Sequence, residues 1–97
     1  MAEKMIKLSQ GKDSPEATVL EAHTVRLGNG ERIVVRRSDY NDMVGVDIRV
    51  YYPHLENDEI VNFRPTKRGT RIPISRVERV AEILVDLVTD LKSKVKK

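Results

Sequence analysis

The hydrophobic period of the sequence changes at Ser75, and this change separates predicted strands from a predicted helix. Before this residue, apolar and polar side chains alternate along several segments, which is typical of strands. From residue 75 to residue 95, apolar side chains recur at helical spacing, and neither glycine nor proline interrupts them. Ser75 and Glu78 have the spacing of a capping box, so one long helix is predicted over residues 75–95. A run of strands followed by a helix predicts an α+β fold.

The clearest strand covers residues 44–52. Aliphatic side chains and Tyr52 alternate there with Asp47, Arg49 and Tyr51, which is typical of an antiparallel sheet with one buried and one solvated face. This alternation places Tyr52 on the buried face and Tyr51 on the solvated face. The other strands are predicted over residues 18–27, 32–37 and 59–64, and the whole sheet over residues 18–74.

The segment before the first predicted strand has no sustained hydrophobic period. We expect a flexible N-terminal arm over residues 1–17, followed by one domain over residues 18–97. An alternative is that residues 5–8 pair onto an edge of the sheet. A chain of 97 residues has room for a single core.

Composition narrows the classes of protein to which the chain can belong. It has no cysteine, which excludes disulfide bonds, thiol nucleophiles and cysteine zinc sites. No apolar run is as long as a membrane span, and the N-terminus lacks the apolar core of a signal peptide. We therefore expect an intracellular protein with no membrane partner, cytoplasmic or nucleoid-associated in a prokaryote or virus and nuclear in a eukaryote.

The apolar stripe of the predicted helix is wider than one sheet face can cover, because Ile83 and Val85 extend it. A small sheet with one helix also buries little surface by itself. We therefore expect a homodimer with packed helices; the alternative is a monomer with a few exposed aliphatic side chains. The residues expected in the dimer interface are Ile83, Leu84, Leu87, Val88 and Leu91.

Basic residues are concentrated in residues 64–71, a segment that contains no acidic residue. Cations in turns and strands suit a phosphate backbone, because each neutralised phosphate releases condensed counterions. The alternative is a solvated face of a mildly basic protein, whose net charge is only +3. The cations that we expect to contact nucleic acid are Arg36, Arg37, Arg49, Arg64, Lys67, Arg68 and Arg71.

All the aromatic residues precede the predicted helix. Exposed rings stack on unpaired bases whatever the identity of the base, so rings interleaved with cations are typical of single-strand binders. Phe63 is the ring expected in the core. The stacking candidates are Tyr40, Tyr51 and Tyr52, of which Tyr40 and Tyr51 are favoured for exposure.

Signals for catalysis are weak. His23 and His54 are far apart and have no acidic residues at ligand spacing, which favours surface positions for both. A magnesium-dependent nuclease that uses Asp39, Asp42 and Asp47 is an alternative. However, the first two have the positions of turn residues, and Asp47 can pair with an arginine. We expect no enzymatic activity, and no catalytic residue, metal site or cofactor.

The run from Asp39 to Tyr52 resembles the central strands of the positive cofactor four family of transcriptional coactivators. In that family an Asp-Phe, a short turn and an Asp-Ile-Arg-x-Tyr-Trp strand occur at the same spacing. Residues 64–69 resemble the family's Lys-Pro-Gly-Arg-Lys-Gly turn, which is also followed by a short strand and one long helix. The resemblance spans about residues 27–91.

This resemblance implies a curved four-stranded antiparallel sheet, followed by one long C-terminal helix, in a homodimer that binds single-stranded DNA on its sheets. It also implies roles for individual residues. Tyr40 matches a stacking phenylalanine and Tyr52 matches the strand tryptophan. Arg49 matches the strand arginine, and Lys67 and Arg68 match the basic pair of the turn.

The residues and the resemblance together predict a non-enzymatic protein that binds single-stranded DNA without sequence preference, in transcription, replication or repair. Single-stranded RNA offers the same phosphates and base faces and is an alternative. A dimerisation module without a nucleic-acid role and a metal-dependent nuclease are the others. The expected partners are single-stranded DNA or RNA, a second copy of the chain, and transcription or replication proteins. The alternation buries Tyr52 and favours Tyr51 as the stacking ring, whereas the resemblance assigns stacking to Tyr52.

Overall fold

The computed structural model describes residues 4–9 and 17–95 of the chain. These residues form a six-stranded mixed sheet that curls into a half-barrel, with one helix after it. The strands lie in the order β2-β1-β6-β5-β4-β3, and every neighbouring pair is antiparallel except β1 and β6. The elements are β1 (Met5–Leu8), β2 (Ala17–Leu20), a 3-10 turn (Glu21–His23), β3 (Thr24–Arg26), β4 (Arg32–Tyr40), β5 (Met43–Glu56), β6 (Glu59–Pro73) and α1 (Ile74–Val95).

The predicted four-stranded antiparallel sheet is wrong, and one reason lies in the N-terminal segment. Residues 5–8, which belong to the predicted arm, form β1 and pair with β2 and β6. The backbone N–H of Ser9 donates to the carbonyl of Phe63 at 2.9 Å, and the Leu8 side chain is fully buried. The alternative of pairing onto the sheet is therefore the one found. Residues 1–3 and 10–16 of the predicted arm lie outside the described residues.

The second reason is that the strand predicted over residues 18–27 is two strands. The 3-10 turn at Glu21–His23 separates β2 from β3, which lie at opposite edges of the sheet. The Thr24 hydroxyl donates to the carbonyl of Glu21 at 2.8 Å and stabilises this turn. A short run of alternating residues has no local signal that distinguishes one strand from two that pair with different partners.

The buried core lies on the face of the sheet that the alternation predicted to be solvated. It consists of Leu8, Val19, Val34, Tyr51 and Phe63. Tyr51 is 4% exposed whereas Tyr52 is 40% exposed, so the predicted burial of these two rings is wrong. The physical reason is that β1 and β2 supply Leu8 and Val19 to the Tyr51 face.

Strand β6 continues through residues 65–69, where the sequence predicted a basic turn. Arg49 of β5 lies opposite Gly69 and Tyr51 lies opposite Pro65, so the β6 residues between them form a bulge opposite Val50. Gly69 is required in this bulge, because a Cβ there would lie 2.4 Å from the carbonyl oxygen of Ile48. The bulge presents Lys67 and Arg68 at the surface of the sheet.

The helix confirms the predicted change of period and begins one residue earlier than predicted, at Ile74. Ser75 consequently lies in its first turn, and among the described residues its side chain makes none of the hydrogen bonds of a capping box. Within the part of the chain that the structure describes, no helix is long and apolar enough to cross a membrane.

Candidate nucleic-acid interface

Arg71 is a structural residue in this fold. Its Nη2 donates to the carbonyl oxygens of Met43 at 2.6 Å and Ser38 at 3.0 Å, and its Nε donates to the Ser38 hydroxyl at 3.2 Å. The guanidinium thereby ties β6 to the β4–β5 hairpin. Gly45 lies beneath it, and a Cβ there would lie 3.1 Å from Arg71 Cζ. Nε and Nη2, two of the three nitrogens that Arg71 was expected to offer to a phosphate, are thus engaged by the protein.

Arg49 is engaged in the same way. Its Nε and Nη2 donate to the two carboxylate oxygens of Asp47, each at 3.1 Å, and its Nη1 donates to the Thr66 carbonyl at 3.1 Å. These hydrogen bonds with Asp47 raise the pKa of the half-buried Arg49 guanidinium. The Thr66 hydroxyl donates to the Val50 carbonyl at 2.8 Å, so Arg49 and Thr66 together hold the bulge of β6 against β5.

Arg68 points away from the bulge toward the turn between β3 and β4. Its Nη2 donates to the carboxylate of Glu31. The Glu31 carboxylate also accepts a hydrogen bond of 2.7 Å from the side-chain amide of Asn29. The hydrogen bond from Asn29, and then the one from Arg68, hold the pKa of Glu31 below its ordinary value of 4.5. No local sequence pattern marks Glu31 as a partner of Arg68, because the two residues lie 37 positions apart.

Tyr52 and Lys67 are the expected site residues that the fold leaves exposed near the bulge, and Arg64, on the same strand as Lys67, is half-buried. Tyr52 and Arg64 lie directly opposite each other in the β5–β6 ladder. The Nε of Arg64 is buried and has no hydrogen-bond partner among the described residues. Lys67 is exposed and forms no ion pair with any described residue. The exposed Tyr52 ring therefore lies opposite Arg64, and Lys67 follows further along the same strand, in the bulge. Neither cation is neutralised by a described residue.

Arg36 and Arg37 lie on β4, further along the sheet. Arg36 is half-buried and lines a polar cleft with Asp47 and Tyr51. Arg37 is exposed, and its Nε donates to Asp39 at 3.1 Å. Strand β4 ends at Tyr40, whose side chain lies outside the described part of the structure. The structure therefore does not bring these β4 cations together with Lys67.

The buried Tyr51 has little surface to offer a base, since it packs in the core with Phe63. A ring contact that the sequence did not indicate lies beside it, where the Arg32 guanidinium is 5.1 Å from the centre of the Phe63 ring. Arg32 also donates to the Thr24 hydroxyl at 3.2 Å. Phe63 is buried as predicted.

The aliphatic side chains expected in a dimer interface are all exposed in the single chain. Their exposure ranges from 42% for Ile83 to 58% for Leu91. Beside the start of the helix, an apolar groove of about 640 Å³ is lined by Val25, Val35, Val46 and Ile74, among others. The helix stripe and this groove are both uncovered within the described chain. The residues of the stripe are Ile83, Leu84, Leu87, Val88 and Leu91.

Acidic residues of the nuclease alternative are engaged by arginines, since Asp39 accepts from Arg37 and both oxygens of Asp47 accept from Arg49. Among residues 4–9 and 17–95, no group of three or more histidine, aspartate or glutamate side chains has a geometry suited to a metal ion. Comparisons of the chain with protein-family models, with curated proteins and with solved structures found no match.

Proposed function

We propose that this protein binds single-stranded nucleic acid, with single-stranded DNA as its principal ligand, on the part of the sheet around the β6 bulge. The observation that carries this proposal is the position of the exposed Tyr52 ring opposite Arg64 and beside the bulge that presents Lys67. The resemblance to the positive cofactor four family supports it, because Tyr52 and Lys67 match that family's strand tryptophan and basic turn. Such a binder serves the single-stranded intermediates of transcription, replication or repair.

Each part of this surface has a distinct task. The Tyr52 ring stacks on an unpaired base, which is worth about 1–3 kcal/mol per base and is tolerant of sequence. Lys67 and Arg64 neutralise phosphates, and each phosphate contact contributes about −0.7 to the slope of log K against log salt on single strands. In a duplex both faces of each base are already stacked on neighbours, so the surface selects single strands.

The proposed assembly is a homodimer. In the single chain the aliphatic side chains of the helix are open to solvent; Leu84 is 51% exposed and Leu87 is 52% exposed. A second copy supplies an apolar surface of the same chemistry, which covers both the helix stripe and the groove beside Ile74. Two protomers double the number of rings and cations that one strand can contact.

A binding assay with labelled oligo-dT, oligo-U and a duplex of equal length tests the proposal. Tyr52→Ala should weaken binding of oligo-dT by about 5- to 150-fold and leave the salt dependence nearly unchanged, since stacking releases no counterions. Tyr52→Phe keeps the ring and should restore binding. Lys67→Ala should instead lower the magnitude of the salt slope by about 0.7 per engaged protomer. Lys92→Ala removes the same charge from the exposed end of the helix and is the matched control.

The alternatives give different results in the same assay. Tighter binding of oligo-U than of oligo-dT would assign RNA as the ligand, with contacts to the 2′-hydroxyl. Absence of binding at low salt, together with a dimer in sedimentation, would leave the dimerisation module. Cleavage products that appear only with Mg²⁺ would indicate the nuclease.

A further inference from the structure

The ion pair between Arg68 and Glu31 joins the β6 bulge to the turn that precedes β4. Arg68 lies on the β6 bulge next to Lys67, and Glu31 lies just before β4. The Arg68 side chain is 59% exposed, whereas the Glu31 side chain is only 17% exposed. The cation is therefore within reach of a ligand from solvent, while its protein partner is largely covered.

Asn29 holds the Glu31 carboxylate in place from the other side. Its side-chain amide donates to Glu31 Oε1 at 2.7 Å, and its side-chain oxygen accepts from the Glu31 backbone N–H at 3.1 Å. Arg68 uses the remaining oxygen, Oε2. The carboxylate is thus oriented toward Arg68 by the turn itself, and the hydrogen bonds from Asn29 and Arg68 lower its pKa.

A guanidinium binds carboxylates and phosphates through the same planar donors. We propose that the Glu31 carboxylate competes with a phosphate of the strand for the Arg68 guanidinium. The carboxylate occupies the guanidinium in the free protein and must be displaced before a phosphate binds there. This inference rests on the proposed function and names a regulation of the same surface. Lys67, which has no partner among the described residues, makes the first phosphate contact, and Arg68 contributes only after exchange.

Glu31→Gln tests this competition. The glutamine oxygen can still accept from Asn29, but its amide lacks the charge that holds Arg68. We expect oligo-dT to bind about fivefold more tightly at 0.1 M salt, with a slope larger in magnitude by about 0.7 per engaged protomer, which is the effect of one further phosphate contact. In an Arg68→Ala background, Glu31→Gln should give no gain.

Glu59→Gln is the matched control, because it removes the same charge from an exposed position at the start of β6. A gain in Glu31→Gln no larger than in Glu59→Gln, or one that persists without Arg68, would overturn the inference. Circular dichroism and thermal unfolding of each variant establish that the fold is retained.

The same titration with inorganic polyphosphate, a polyanion without bases, separates this inference from the proposed function. A gain of Glu31→Gln on polyphosphate, lost with Arg68→Ala, supports the competition even where the wild type does not retain oligo-dT. That combination would refute the proposed binding of single strands and would support an anion site at Arg68. Retention of oligo-dT by the wild type, without any gain in Glu31→Gln on either ligand, supports the function and refutes the competitor.

Discussion

Replacement of Leu8 by alanine tests the least expected feature of the fold, the inclusion of β1 in the sheet. Leu8 is fully buried between Val19, Val34, Tyr51 and Phe63 in the core. Truncation removes three buried carbons, worth about 2.4 kcal/mol at about 0.8 kcal/mol each. The cavity left behind raises the cost, within the range of about 2–5 kcal/mol measured for such substitutions.

Urea unfolding followed by circular dichroism measures this loss. With a loss of about 3 kcal/mol and a slope of about 2 kcal/mol/M, the midpoint should fall by roughly 1.5 M. Met5→Ala is the control in the same strand: Met5 is 50% exposed, and surface substitutions usually change stability by less than about 0.5 kcal/mol. All variants are compared at one protomer concentration, because dimer formation makes the midpoint depend on concentration.

Equal midpoints for Leu8→Ala and the wild type would refute the reasoning. They would mean that residues 5–8 do not pack against the sheet and that the N-terminal segment is the flexible arm predicted from the sequence. A loss as large in Met5→Ala as in Leu8→Ala would also count against it, because burial would then not decide the cost.

Three further outcomes are expected. Gly45→Ala should destabilise the fold by about 1–3 kcal/mol in urea unfolding, because its Cβ would lie 2.5 Å from the carbonyl oxygen of Ile72; unchanged stability would contradict the register of β5 and β6. Leu84→Asp should convert the dimer to a monomer in sedimentation, because an unpaired carboxylate in an apolar interface costs several kcal/mol; a wild type that already sediments as a monomer would remove the proposed interface. The lowered pKa of Glu31 contributes stability that is present above its unfolded value of 4.5 and is lost as pH falls through the lower folded value. The free energy of unfolding, measured from pH 6 down to about pH 3, should therefore fall more in the wild type than in Glu31→Gln. Identical pH profiles of the two proteins would contradict this linkage.

Those parts of the fold that have local signals are predictable from the sequence. The helix at Ile74–Val95 follows from its period and from the absence of glycine and proline. The turn at Asn41 and Asp42 follows from residue types that accept positive φ, here 51° and 63°. In contrast, β1 and β2 are four residues each, too short for a period to reveal which strand each will pair with.

The residues and their order are enough to specify the cations and rings of the chain, the position at which the strands give way to a helix, and an apolar helix surface wider than one sheet can cover. Which of these groups are available to a ligand depends on the folded chain. Arg68 is held by a residue 37 positions away and Arg71 by one 33 positions away. Tyr51 is buried because Leu8 and Val19 come from distant strands to cover its face. The physical reason is that charge and shape are local properties of a side chain, whereas its partners and its burial depend on contacts that only the folded chain creates.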